Sequence, residues 1–83
     1  MKKCINDLTI DELHILIGKN VARLRKEANM SQLQLSLEMG NKSVSLISSA
    51  EIYTNKRHFN ISHLHSIAKI LKVDICEFFK VQN

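Results

Sequence analysis

The fold is decided by residues 31–51, which read SQLQLSLEMGNKSVSLISSAE. Ser31 and Gln34 match a capping box, in which each side chain bonds the other residue's backbone amide and a helix begins. Gly40 is a typical helix stop, because glycine adopts the left-handed conformation without steric cost. Ser43 can cap a second helix. The stretch therefore predicts two short helices joined by a tight turn.

The apolar residues of the first of these helices also fit a strand. Leu33, Leu35, Leu37 and Met39 alternate with polar residues, which is the period of a strand. We favour a helix, because the segment begins with a capping box, is rich in helix formers and holds no β-branched residue. In a helix, Leu35 and Met39 share one face, and Leu33 and Leu37 share another.

Leu33 and Leu37, one helical turn apart, would form an exposed apolar patch. One interpretation is that the N-terminal segment folds over them with Ile5, Leu8 and Ile10. The alternative is that they dock another protein.

The residues before this stretch predict a longer helix. Thr9 and Glu12 match a second capping box. Apolar residues then recur at spacings of three and four up to Ala28, which is typical of an amphipathic helix. Gly18 lies inside it at a cost of roughly 1 kcal/mol relative to alanine, so we expect another backbone to cross closely there.

Beyond Glu51 the sequence predicts a polar, basic loop at 53–60, a fourth helix and a fifth. Ser62 is the expected cap of the fourth helix, whose inward residues include Leu64 and Ile67. Asp74 and Glu77 are expected to open a short fifth helix. We therefore expect a flexible leader at residues 1–8 and one all-α, five-helix domain at 9–83.

Composition limits the classes of function. The chain has 83 residues, a net charge of +4 and no tryptophan, so it offers little aromatic surface for single-stranded bases. Two distant cysteines and an isolated His14 indicate no disulfide framework or metal site. No catalytic set and no cofactor motif is present, so an enzyme is not expected. With no signal peptide or apolar membrane span, we expect a cytoplasmic protein.

The ordered pattern resembles the Cro/repressor-like (XRE-type) helix-turn-helix family of bacterial and phage regulators. The resemblance spans roughly residues 18–80 and is greatest to small stand-alone members, such as the controller proteins of restriction–modification systems. It rests on Leu24-Arg25, Ser31-Gln32, Leu35, Gly40, Ile47-Ser48, Glu51, Leu64, Ile67-Ala68 and Leu71-Lys72-Val73. It implies a lambda-repressor-like domain that binds double-stranded DNA as a homodimer on a palindromic operator.

The resemblance also implies roles for particular residues. Base edges would be contacted by Val44, Ser45 and Ser49 of the second motif helix. The DNA backbone would be contacted by Gln32, Lys42, Ser48, Lys56 and Arg57. Arg25 and Glu51 would form a structural ion pair. Apolar candidates for the dimer interface are Phe79 and Val81, with Phe78 filling the core.

The second motif helix departs from the family's usual pattern. It carries none of the Arg, Asn or Gln side chains that discriminate bases strongly. Either DNA shape contributes to recognition, or the bases are read from the flanking segments 41–42 and 55–57. Two other classes of protein remain as alternatives, an antitoxin-like protein with a partner at Leu33 and Leu37, and an interaction module that no longer reads DNA.

Overall fold

The computed structural model describes residues 4–41 and 43–81. Within these ranges, the four α-helices are α1 (Ile10–Glu27), α2 (Gln32–Glu38), α3 (Ser45–Glu51) and α4 (Ile61–Leu71). Short 3-10 segments lie at Ile5–Asp7, Thr54–Lys56 and Ile75–Phe79, and no strand occurs in the described part of the chain. The all-α class is confirmed. Residues 1–3 of the predicted leader lie outside the described residues.

Helix α1 begins at the predicted capping box. The Thr9 hydroxyl accepts from the Glu12 amide at 3.1 Å, and the Thr9 amide donates to the Glu12 carboxylate at 2.9 Å. The helix ends at Glu27 with Ala28 as its C-cap, and Asn29 follows with a left-handed φ of 56°. Its buried side chains, which include Val21 and Leu24, form one wall of the core.

The segment that also fits a strand is helical, with the capping box in place at Ser31 and Gln34. Leu35 is fully buried, whereas Leu33 and Leu37 are 51% and 58% exposed. The idea that the N-terminal segment covers these two leucines is therefore wrong. The 3-10 turn at Ile5–Asp7 and the exposed Ile10 leave both side chains in solvent.

Gly18 lies where α1 crosses the end of α3. A Cβ added there would lie 2.6 Å from the carbonyl oxygens of both Ala50 and Glu51. Contacts this short do not occur between a side chain and rigid backbone, so only glycine allows the two helices to approach so closely. The predicted close crossing thus fixes the position of α3 on α1.

Helix α4 begins two residues earlier than its predicted cap requires. The cap is Asn60, not Ser62. Its side chain accepts from the His63 amide at 2.8 Å, and its own amide donates to His63 Nδ1 at 3.1 Å. This reciprocal pair satisfies two amide groups at once, and places Ser62 inside the first turn.

The predicted fifth α-helix is instead the 3-10 helix Ile75–Phe79. Asp74 caps it alone, accepting from the Cys76 amide at 3.0 Å, without the reciprocal bond from Glu77. The side chain of Asn20 on α1 donates to the carbonyl oxygens of Phe78 and Lys80, both at 2.8 Å. These two bonds hold the end of the segment against α1. Five residues are too few to offset the cost of nucleating an α-helix. Phe78 is fully buried in the core.

Candidate nucleic-acid interface

A buried ion pair joins the end of α1 to the end of α3. Arg25 Nε donates to Glu51 Oε2 at 2.7 Å, and Arg25 Nη2 donates to Glu51 Oε1 at 3.1 Å. The two side chains are only 8% and 4% exposed. Arg25 Nη1 also donates to the Met30 carbonyl at 2.8 Å. The sequence-predicted pair is thus brought together with two parallel bonds, a geometry that fixes orientation as well as distance.

Gln32 is the third member of this group. Its Nε2 donates to Glu51 Oε1 at 2.8 Å, so the carboxylate holds α2 as well as α1. The sequence reasoning assigned Gln32 to a DNA phosphate and missed this bond. Nothing in the local pattern signals it, because the two residues are 19 positions apart. We call Arg25, Gln32 and Glu51 the helix brace.

The outer side of α3 carries small polar side chains. Ser45 is exposed, and Val44, Ser48 and Ser49 are half-buried. The Ser43 hydroxyl accepts from the Ser45 amide and donates to the Ser45 hydroxyl, both at 3.1 Å. In this arrangement the Ser45 hydroxyl keeps its own proton for an acceptor outside the protein.

The Ser48 hydroxyl donates to the Ser45 carbonyl at 3.3 Å, which leaves its oxygen free to accept. We call Val44, Ser45, Ser48 and Ser49 the reading surface. Lys42, the remaining candidate of this region, lies outside the described residues.

The loop after α3 has an uncommon backbone. Tyr53, Asn55 and Lys56 have φ values of 58°, 53° and 62°, in the left-handed region that non-glycine residues seldom occupy. The Lys56 amide donates to the Tyr53 carbonyl at 3.2 Å, and the Arg57 amide donates to that of Thr54 at 3.0 Å. The segment Thr54–Lys56 is therefore a succession of tight turns, not a right-handed helical turn. Each left-handed residue costs roughly 1–3 kcal/mol and needs support from its surroundings.

That support comes from α1. The Tyr53 hydroxyl donates to Asp11 Oδ1 at 2.6 Å, and this bond to a carboxylate raises the pKa of Tyr53. The His14 ring stacks on the His58 ring with centroids 4.0 Å apart, and on Tyr53 at 5.5 Å. The expectation that His14 is isolated was wrong. Burial and the nearby His58 lower the pKa of His14, and Asp11 opposes them.

The loop also carries two cations. Lys56 and Arg57 are both exposed. Neither is paired with a carboxylate within residues 4–41 and 43–81. The described residues also hold no group of three or more His, Cys, Asp or Glu side chains placed to bind a metal ion.

A groove of about 800 Å³ adjoins the helix brace. Its rim carries the exposed Lys19 and Lys26 of α1, and Arg23, which is paired with Glu27 at 3.2 Å. The groove also touches Gln32 and Glu51. A basic rim at this place could have been anticipated from the cationic residues of α1, but the sequence reasoning assigned them no site.

None of the apolar residues considered for a dimer or partner interface belongs to the reading surface. Phe79 and Val81 are both half-buried, and Phe79 packs against the core. Leu33 and Leu37 lie on the outer face of α2. Among the described residues no helix is long and apolar enough to cross a membrane.

Comparison with known proteins assigns the architecture. A family model described as helix-turn-helix matches residues 21–78, well over half of the chain. No curated protein matches the chain. The matched residues run from the second half of α1 through the brace, the reading surface and α4 into the final 3-10 helix. The chain therefore belongs to the Cro/repressor-like (XRE-type) helix-turn-helix family, a family of DNA-binding regulators.

Proposed function

We propose that the chain is a sequence-specific regulator of transcription that binds double-stranded DNA as a homodimer on a palindromic operator. The observation that carries this proposal is the helix brace. It ties α2 and α3 to α1 through one buried carboxylate, while the outer side of α3 stays open. A short helix held rigidly, with polar groups on its free side, suits the major groove.

For base contacts we propose Val44, Ser45 and Ser49. The Val44 methyl groups suit the methyl group of thymine, and the hydroxyls suit either donors or acceptors. Such side chains discriminate weakly, so the sequence-dependent shape of the DNA contributes to the choice of operator.

For backbone contacts we propose Gln32, Lys42, Ser48, Lys56 and Arg57. Lys56 and Arg57 carry exposed charges with no carboxylate partner in the described residues, which favours a phosphate as their partner. The side-chain oxygen of Gln32 is an acceptor and cannot bond a phosphate oxygen. Because one N–H of its Nε2 donates to Glu51, a phosphate contact would use the other N–H. Lys19 and Lys26 on the groove rim extend the basic surface beside it.

The decisive experiment is selection of bound sites from random DNA duplexes. We expect enrichment of a palindrome with half-sites roughly 34–36 Å apart, about one helical turn. No enrichment would contradict the proposal and favour an interaction module.

The salt dependence of binding tests the loop. Arg57→Ala should reduce the slope of log affinity against log salt by about one, since one phosphate contact is lost. Lys69→Ala removes the same charge from the exposed face of the last turn of α4 and is the matched control. Equal slopes for the two variants would remove Arg57 from the interface.

For the dimer interface we propose Phe79 and Val81. Val81→Lys is the preferred variant, because Phe79 also packs on the core and its loss would disturb the fold. We expect the wild type to be a dimer and the variant a monomer in size-exclusion chromatography with light scattering. A monomeric wild type at high micromolar concentration would refute homodimerisation.

A second function is favoured by one observation, the exposure of Leu33 and Leu37 one turn apart. It is binding of a protein partner at α2, as in an antitoxin. Leu33→Gln combined with Leu37→Gln would leave DNA binding intact and abolish such a complex.

A further inference from the structure

We propose that Asp11, His14, Tyr53 and His58 form an anchoring cluster that positions the loop 53–57 for contact with the DNA backbone. The inference rests on the proposed function and deepens it. It gives the first turns of α1 a role in DNA affinity, although no residue of these turns is among the proposed DNA contacts.

The first reason is the backbone of the loop. Three of the four residues Tyr53–Lys56 are left-handed and none is glycine. Such a conformation persists only where neighbouring groups hold it. The bonds within the loop are two single turn bonds at 3.2 Å and 3.0 Å, which do not relate the loop to the rest of the domain.

The second reason is that the loop's side-chain contacts converge on α1. Tyr53 bonds Asp11 across 42 residues of chain, and His58 stacks on His14. His58 Nδ1 also lies 3.0 Å from the Lys56 carbonyl oxygen, so the stacked ring is bonded to the backbone of a left-handed residue. The anchor is firm, because α1 is the longest helix of the described chain and crosses α3 at Gly18.

The third reason is that the cluster adds little to the core. Asp11 and His58 are exposed, and His14 and Tyr53 are half-buried, outside the fully buried group. A bond that served only to stabilise the fold would be expected inside the core.

The two cations lie between the contacts to α1. Lys56 and Arg57 are flanked in sequence by Tyr53 and His58, so these contacts orient both cations.

The test is a double-mutant cycle on binding to the duplex enriched in the selection experiment. At 0.15 M salt, one phosphate contact contributes about fivefold to affinity and two contribute about 30-fold, from a slope near 0.9 per phosphate. Tyr53→Phe removes only the hydroxyl and should weaken binding by about fivefold to 30-fold, with a smaller salt slope. In a Lys56→Ala, Arg57→Ala background the same change should cost less than about twofold, because the oriented cations are gone. An equal loss in both backgrounds, or no loss in the wild type, overturns the inference.

A matched pair of variants at two acidic residues separates charge from anchoring. Asp11→Ala and Asp7→Ala each remove one negative charge near the start of the domain, but only Asp11→Ala removes the acceptor of the Tyr53 hydroxyl. Charge alone predicts tighter DNA binding for both variants. We expect Asp7→Ala to bind as tightly as the wild type or more tightly, and Asp11→Ala to bind more weakly. Tighter binding by Asp11→Ala overturns the inference.

A measurement without DNA separates this inference from the proposed function. Trypsin cleaves after Lys56 and Arg57 once the loop opens. Tyr53→Phe should therefore be cut there faster at an unchanged thermal midpoint, and Asp11→Ala should be cut faster than Asp7→Ala. Unchanged cleavage overturns the anchoring role even if the wild type binds DNA. If the variants are cleaved faster but the wild type binds no duplex, the anchoring of the loop is supported, whereas the proposed function and the role in DNA affinity are both refuted.

Discussion

Replacing Gly18 by alanine sets two physical effects against each other. Alanine in a helix interior is favoured over glycine by roughly 1 kcal/mol. At this crossing, however, the new Cβ would lie 2.6 Å from two carbonyl oxygens of α3, and an ordinary contact needs about 3.4 Å. The helices must therefore separate by about 0.8 Å, against backbone that cannot rotate away. Such overpacking costs about 1–3 kcal/mol, and two backbone contacts place this site at the upper end.

We therefore expect Gly18→Ala to destabilise the domain by about 2 kcal/mol, after its helix propensity is counted. In a domain of this size that lowers the thermal midpoint by about 8–16 °C. Circular dichroism at 222 nm during heating measures it. A midpoint above that of the wild type would refute the close crossing, because it would mean that propensity alone decides.

Gly40 supplies the control for that experiment. It has a φ of +85°, and nothing lies within 4 Å of an added Cβ. Gly40→Ala should cost roughly 1–2 kcal/mol through conformation only. Gly40→Asn should recover part of it, since asparagine tolerates the left-handed region. Gly18→Asn should recover nothing.

Three further changes test other contacts. Arg25→Ala leaves the buried Glu51 carboxylate bonded to the Gln32 side chain without its cationic partner and should cost about 3–5 kcal/mol in urea unfolding; a loss below 1 kcal/mol would contradict the brace. Asn20→Ala removes two 2.8 Å bonds to the final segment and should cost about 2–3 kcal/mol, whereas an unchanged midpoint would show that water replaces them. Burial and His58 depress the pKa of His14, so the unfolded chain binds its proton more readily, and the stability present above about pH 6.5 is lost as the pH falls. His14→Phe keeps a stacked ring without the proton, and its thermal midpoint should fall less than that of the wild type between about pH 7.5 and 5.5.

Local signals were read correctly from the sequence because their causes are local. A capping box needs only two residues three positions apart, and two of the three expected capping patterns are present as boxes, at Thr9 and at Ser31, whereas Asp74 lacks the return bond from Glu77. Gly18 predicted the helix crossing for a different reason. Glycine weakens a helix, so its presence there indicates a close backbone contact that only glycine allows.

The errors came from competition and from distance. Asn60 and Ser62 are both good caps, and the return bond from His63 decides between them. The α-helix expected after Asp74 is a five-residue 3-10 helix, in which Glu77 makes no return bond to the cap and Asn20, far away in sequence, bonds the carbonyls of Phe78 and Lys80. At the candidate site, too, some contacts could be predicted from the sequence and others could not. The pairing of Arg25 with Glu51 came from family resemblance, whereas Gln32–Glu51 and Tyr53–Asp11 join distant residues without any periodic pattern.

The serine-rich side of α3 has a consequence for engineering. None of the reading-surface side chains belongs to the buried core, and the helix is positioned from its other side by Gly18 and Glu51. With the base contacts proposed above, specificity and folding depend on separate residues. We expect Ser45 and Ser49 to accept longer amide or guanidinium side chains at little cost in stability, so the domain is a suitable scaffold for designed changes of DNA preference.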